Sequence, residues 1–572
     1  MWGRTPRKGE NMFLPKEKSD LAADRELVAG LLAEMTLAQK VGQLLMVGFS
    51  GPKPPEELLD LVKSGCAGGV ILFADNVTES NQVMALTDTL QATAQGSPNG
   101  LPLFIAIDQE GGAVVRFTDG GTIFPGNMAI GAAGREEYAY QSGKAMAEEL
   151  VALGINMNFA PVLDVNINPD NPIIGIRSFG AAPETVARLG MATVKGLQDG
   201  GVLAVGKHFP GHGDTAVDSH LNLPVIIHPI ARLDAVELVP FQAAIRAGVA
   251  GIMTAHIVFP ALETTAGRPA TLSAAIVADL LRCKMNFQGL VITDCLEMEA
   301  IAANYEIGDA VVQALLAGVD QLLISHTFTK QQVAHQAIMA RVADGTLPLT
   351  LIDAAVGRVL AAKLGLEVEK MTVASDAVPR NWWGKHGDLA RKIAAASLTL
   401  LRNSQKLLPM HLNSDDELLV LPFCKKATAV EGDNGFDAGL AGALAGLHPR
   451  VAQIVPVDGG TAAIQEQLRA RLETKRPALI IVATQDARRD PSQAEIVKWL
   501  AAGGYPLVVV ALRTPYDLLA FPEVDTYIAA YGFRHVTLEA LAELLWGKIP
   551  PRGKLPVDLP GLYPLGYGME HF

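Results

Sequence analysis

The chain has 572 residues, 49% hydrophobic and 19% charged, with a formal net charge of −13. That balance excludes a disordered chain, and it leaves no clustered Lys and Arg of the kind that hold nucleic acid or an anionic membrane. The length suits several domains, although a single α/β barrel can absorb about 250 residues or more.

The opening stretch MWGRTPRKGENMFLPKEKSD begins basic without reaching the apolar run of a secretory signal, and no later run is long enough to span a bilayer. The cytoplasm is the expected compartment, a trimmed signal being the alternative, and residues 1–29 are expected to form an N-terminal extension. Between residues 30 and 370, short apolar runs ending in polar residues alternate with helix-period stretches, as in repeated βα units around a buried parallel sheet. Strands are expected at 41–49, 68–73, 101–108, 155–161, 202–208, 251–256, 290–294 and 319–324. Val186, Leu189, Val194 and Leu197 recur at helical spacing and predict a crossover helix over 184–198. Periodicity does not decide between an open doubly wound sheet and a closed (β/α)8 TIM-type barrel, but the polar residues favour closure. Asp108, Lys207, His208, His256 and Asp294 all fall at strand ends, which a barrel gathers on one face.

Residues 371–386, rich in Pro, Trp and charge, read as a linker. A helix is expected over 387–403, then strands at 417–423, 478–484, 506–512 and 525–531. Together they predict a second, smaller α/β domain over 387–572 with an open sheet. AGLAGALAG (438–446) predicts a helix interrupted by glycine. Cys66, Cys283, Cys295 and Cys424 are too scattered for a disulfide framework and are expected to be reduced and mostly buried.

The densest polar cluster is KHFPGHGDTAVDSH (207–220). Its His and Asp residues suit a metal, but no HxH strand or HExxH helix supplies further ligands. Alternatively Asp218 orients His220, whose other ring nitrogen then carries a proton; residues i and i+2 of an extended loop project the same way. A loop hydrogen-bonded to itself is the bland alternative. In IAIDQEGGAVVRF (105–117) a buried strand delivers Asp108, whose carboxylate suits sugar hydroxyls, and Arg116 is placed to pair with Asp108 or Glu110. LVITDCLEMEAI (290–301) puts Asp294 at a strand end, where a nucleophile belongs. Helix capping is the competing role for both aspartates. The long loop NPDNPIIGIRSFG (168–180) carries Arg177 as a substrate-facing cation.

In this order DQEGGAVVRF, APVLDVNINPDNPIIGIRSFG, KHFPGHGDTAVDSH and PATLSAAIVADLLRCKMNFQGLVITDCLEM resemble the signatures of family 3 glycoside hydrolases, specifically the bacterial β-N-acetylhexosaminidases among them. SLTLLRNSQKLLPM and YPLGYGM resemble, more weakly, the borders of that family's C-terminal α/β sandwich domain. The resemblance implies a retaining enzyme with Asp294 as nucleophile and His220 with Asp218 as the acid/base pair. It also implies that Asp108, Arg177, Lys207 and His208 hold the sugar, with Arg116 and His256 as further contributors. No cofactor and no metal are expected. The expected partner is a small carbohydrate, a peptidoglycan fragment or related amino sugar glycoside, with no nucleic acid or membrane; the chain is expected to be a monomer or homodimer. A glycoside phosphorylase, a β-glucosidase of the same family and a non-catalytic carbohydrate-binding protein are the alternatives.

Overall fold

Eight short apolar segments, buried throughout, build the first sheet: β1 (Leu45–Val47), β2 (Gly69–Leu72), β3 (Phe104–Ile107), β4 (Met157–Asn158), β5 (Leu203–Phe209), β6 (Gly251–Thr254), β7 (Leu290–Thr293) and β8 (Leu322–Ile324). The computed structural model describes residues 18–216, 223–366, 382–423, 431, 439–457 and 459–572. All neighbouring strands are parallel, in the order β7-β6-β5-β4-β3-β2-β1-β8. A bridge from Ile292 to Gln321, just before β8, closes the sheet into the expected barrel. Residues 41–43 are the end of helix Leu37–Gln43 rather than strand, because Thr36 and Gln39 form a reciprocal cap that starts a helix there.

Helix Pro183–Asp199 is the expected crossover and buries Val186, Leu189, Val194 and Leu197. It lies so close to helix Glu136–Ala152 that a Cβ on Gly196 would sit 2.2 Å from the Tyr140 carbonyl oxygen. Helix Lys18–Glu34 runs across the boundary expected at residue 29.

The second sheet holds β9 (Thr399–Asn403), β10 (Leu418–Pro422), β11 (Val451–Gln453), β12 (Leu479–Thr484), β13 (Leu507–Ala511) and β14 (Thr526–Ala529), in the order β11-β10-β12-β13-β14-β9. Its pairs are parallel except β14 with β9. The helix expected over 387–403 is corrected: it spans Trp383–Ser397, and the chain then turns into β9. Leu400 and Leu401 enter apolar clusters on opposite sides of the sheet, the period-two alternation of a strand. β11 is only three residues long and partly exposed, and it was not expected. The glycine-interrupted helix spans Gly439–Ala445.

The second domain sits on the barrel face where strands end. Ala113, Val114, Met128 and Ile176 of the barrel loops share an apolar cluster with Leu421, Ile480, Val509 and Tyr516. The three described cysteines are free, but only Cys295 is buried; Cys66 is half-buried and Cys283 exposed, which corrects the expectation of burial. Cys424 and most of the expected linker lie outside the described residues. Among the described residues no helix is long and apolar enough to cross a membrane.

Candidate active site

Parallel strands closing on a common axis bring distant chain segments to one rim. Lys207, in β5, places its Nζ 2.7 Å from Asp108 Oδ1 and 2.6 Å from Glu110 Oε1. Arg177, from the loop after β4, grips Glu110 with Nε and Nη2 at 2.9 and 2.8 Å, and its Nη1 donates to the Ile173 carbonyl. Arg116 Nη2 lies 3.8 Å from Asp108 Oδ2. Burial opposes charge on Glu110, but Arg177 and Lys207 outweigh it and hold the carboxyl well below the usual range. Burial likewise disfavours the cations, yet Glu110 keeps Arg177 above its ordinary value, and Asp108 and Glu110 do the same for Lys207.

Within this network the Asp108 side chain is 17% exposed, against 2% for Glu110 and 3% for Lys207. Asp108 is therefore the more accessible carboxylate of the network, while Glu110 lies buried against both cations. The turn that follows Asp108 needs glycine: Gly112 has φ +60°, and a Cβ there would meet the Gly126 Cα at 2.6 Å. Asp108 caps no helix, since the next begins at Asn127.

His208 is held through its ring by a residue the sequence did not single out. Its Nδ1 lies 2.8 Å from buried Asp164 Oδ2, whose partner oxygen accepts the His212 N–H at 2.7 Å. Only the position of Asp164 in a loop shortly after an expected strand hinted at this. His212 faces the Thr215 hydroxyl through Nδ1, and burial, with His208 adding to it, pulls its pKa down to about 4. Asp214 pairs with His228 across the loop. Asp218 and His220 lie between that pair in the chain, outside the described residues.

Asp294 is half-buried at the end of β7, and its Oδ1 accepts the Cys295 N–H at 2.7 Å. It does not cap the next helix, whose N-cap is Met298. His256 donates from Nε2 to the Cys295 carbonyl at 3.0 Å, and its Nδ1 faces Thr271 Oγ1 at 2.8 Å. Both ring nitrogens thus engage protein groups and steady the turn that carries Asp294. Among the described residues no cluster of three His, Cys, Asp or Glu side chains is placed to hold a metal.

Between this rim and the second domain lies a polar cavity of about 30 Å³, bounded by Asn166, Asn171 and Arg177 on one side and Asp486, Arg513 and Tyr516 on the other.

A closed parallel barrel with a carboxylate, lysine and arginine network and a separate half-buried aspartate on its strand-end rim defines an enzyme of the barrel class. Residues 36–362 match the Glycosyl hydrolase family 3 N terminal domain, and the chain belongs to that family of glycoside hydrolases. It is 34% identical to the Beta-hexosaminidase A of Pseudoalteromonas piscicida, over 92% of this chain and 97% of that one. A solved family 3 beta-N-acetylglucosaminidase from Paenibacillus sp. str. FPU-7 superposes with a TM-score of 0.86 at 40% identity, covering 92% of this chain and 99% of that one. A solved beta-glucoside phosphorylase, BglX, superposes with a TM-score of 0.81 at 25% identity, covering 95% and 97%.

Proposed function

We propose that this chain removes a terminal β-linked N-acetylglucosamine from amino sugar glycosides, peptidoglycan fragments among them, by a two-step retaining displacement. The observation that carries the reading is the half-buried Asp294 carboxylate at the end of β7, on the rim that also holds Asp108 and Lys207. Similarity to the Paenibacillus enzyme supports the choice of sugar.

In this mechanism Asp294 attacks the anomeric carbon and forms a glycosyl-enzyme ester. His220, oriented by Asp218, gives its proton to the departing oxygen; the neutral imidazole then takes a proton from water, whose oxygen bonds the anomeric carbon as the ester to Asp294 breaks, freeing the sugar and the carboxylate. A histidine with an ordinary pKa of about 6.5 needs little tuning for both duties. Asp108 and Lys207 meet sugar hydroxyls, with His208 held in one tautomer by Asp164.

The test is a chromogenic panel of β-N-acetylglucosaminides, β-glucosides and muropeptides, with the first-formed anomer read by NMR. Preferential cleavage of the N-acetylglucosaminide with β product supports the reading; α product or no cleavage sinks it. A second reading, phosphorolysis, is favoured by similarity to the solved phosphorylase and by an imidazole acid, which repels an incoming phosphate less than a carboxylate does. Sugar 1-phosphate formed in phosphate buffer, in place of free sugar, would establish it.

A further inference from the structure

The second domain grips the segment that carries Asp108. Arg534, just ahead of helix His535–Leu545, donates from Nε to the Gly112 carbonyl at 3.2 Å and from Nη2 to the Ala113 carbonyl at 3.4 Å. Arg513, shortly after β13, pairs with the Glu431 carboxylate and lies 3.4 Å from Asp486 Oδ2. Both guanidiniums rest against the Phe533 ring, with centroid distances of 5.4 and 5.2 Å. The Glu431 backbone carbonyl accepts from Arg116 Nη1 at 3.1 Å, and the same guanidinium approaches Asp108. Arg116, Glu431 and Arg513 are all buried.

A domain contact made only for cohesion is better served by apolar packing, which Ala113 and Val114 already supply at this seam. Burying an ion pair is costly and returns fixed geometry rather than stability. What the pair fixes here is a carbonyl aimed at Arg116, and through Arg116 the outer oxygen of Asp108. The second clamp, from Arg534, holds the glycine turn between Asp108 and Arg116.

We propose that Arg513, Glu431 and Arg534 are positioning residues for sugar recognition, so that the second domain completes the sugar site without touching the reacting atoms. This rests on the proposed glycosidase activity, and it assigns the second domain a part in binding the terminal sugar.

The experiment uses the full chain and the variants Arg513→Ala, Arg513→Lys, Arg534→Ala and Glu431→Gln. The last keeps the carbonyl and removes only the charge that anchors it, so it also serves if the alanine variants prove too unstable to purify. Two measurements are made: KM and kcat on a chromogenic β-N-acetylglucosaminide, and amide hydrogen exchange of residues 108–117. The expected result is a roughly tenfold rise in KM with kcat changed less than about threefold, part of it restored by lysine at 513. Faster exchange at 108–117, with none at 37–47 on the far side of the barrel, is expected alongside it. Unchanged KM, with apparent kcat falling only in proportion to lost folded protein, overturns the proposal, as does unchanged exchange at 108–117. Failure of the unaltered chain to cleave any N-acetylglucosaminide refutes the activity instead, and exchange then still decides whether the clamp exists.

Discussion

Arg177 holds Glu110 by both carboxylate oxygens, with Nε 2.9 Å from Oε2 and Nη2 2.8 Å from Oε1, and both side chains are buried. Removing one member of such a pair leaves a buried charge short of its main partner. Arg177→Ala is expected to cost about 3–5 kcal/mol, and Glu110→Gln added to it recovers part of that loss; urea unfolding of the single and double variants measures both. Because Glu110 titrates below its ordinary value of 4.5 when folded, its contribution is fully present above that pH and fades only as pH falls further. Between pH 7 and 5 the pair therefore adds no slope to stability.

His212 does titrate across a useful range. Burial, and then His208, lowers it from 6.5 to about 4, so the unfolded chain binds a proton more readily between those values. Stability from this group is whole above pH 6.5 and is lost as pH falls toward 4, by ~3 kcal/mol in all. His212→Gln removes that slope. Parallel unfolding curves at pH 7 and pH 4.5 for the two proteins decide it: equal slopes would mean that His212 is not held neutral.

Catalysis divides between a nucleophile that every substrate needs and an acid that only poor leaving groups need. Asp294→Ala is expected to cost on the order of 10⁴-fold in kcat on all substrates. His220→Ala lowers kcat/KM, which reports the first step, far less for an aryl glycoside with an acidic phenol than for an alkyl glycoside, whose alkoxide must be protonated as it leaves. Equal losses on both substrates would remove His220 from the acid role.

Legibility followed the range of each interaction. The barrel strands could be read because residues such as Val70, Ile71 and Leu72 are apolar on both faces, and Asp108 and Asp294 because each ends such a run. β9 was hidden because its leucines continue the apolar pattern of the helix before it. Pairing was the hard part. Lys207 and Asp108 are 99 residues apart, and Arg116 reaches a carbonyl 315 residues away, so no local pattern links them. Asp164 and Glu431 emerge only when the barrel closes and the second domain settles on its rim.

The opposite face of the barrel makes a separate prediction about Lys363. Its ammonium is buried where strands begin, 2.7 Å from Gln43 Oε1 and 2.8 Å from the Gly68 carbonyl, and it sits 5.1 Å from the Phe104 ring centroid. None of these groups carries a charge to offset desolvation, and burial lowers the amine from 10.5 to about 7. The unfolded chain thus holds this proton through a range in which the folded chain has released it, and stability from the group rises as pH climbs from 7 toward 10.5. Over that span the gain is on the order of 4 kcal/mol. Lys363→Met preserves length and volume, abolishes the rise and leaves two acceptors unmet at about 1–3 kcal/mol. Urea unfolding of both proteins at pH 7.0 and 9.5 compares the slopes, and the same slope in both would show that Lys363 stays charged. Turnover at the far rim is expected to be unaltered, because the barrel's N-terminal face contributes to stability and its C-terminal face to chemistry.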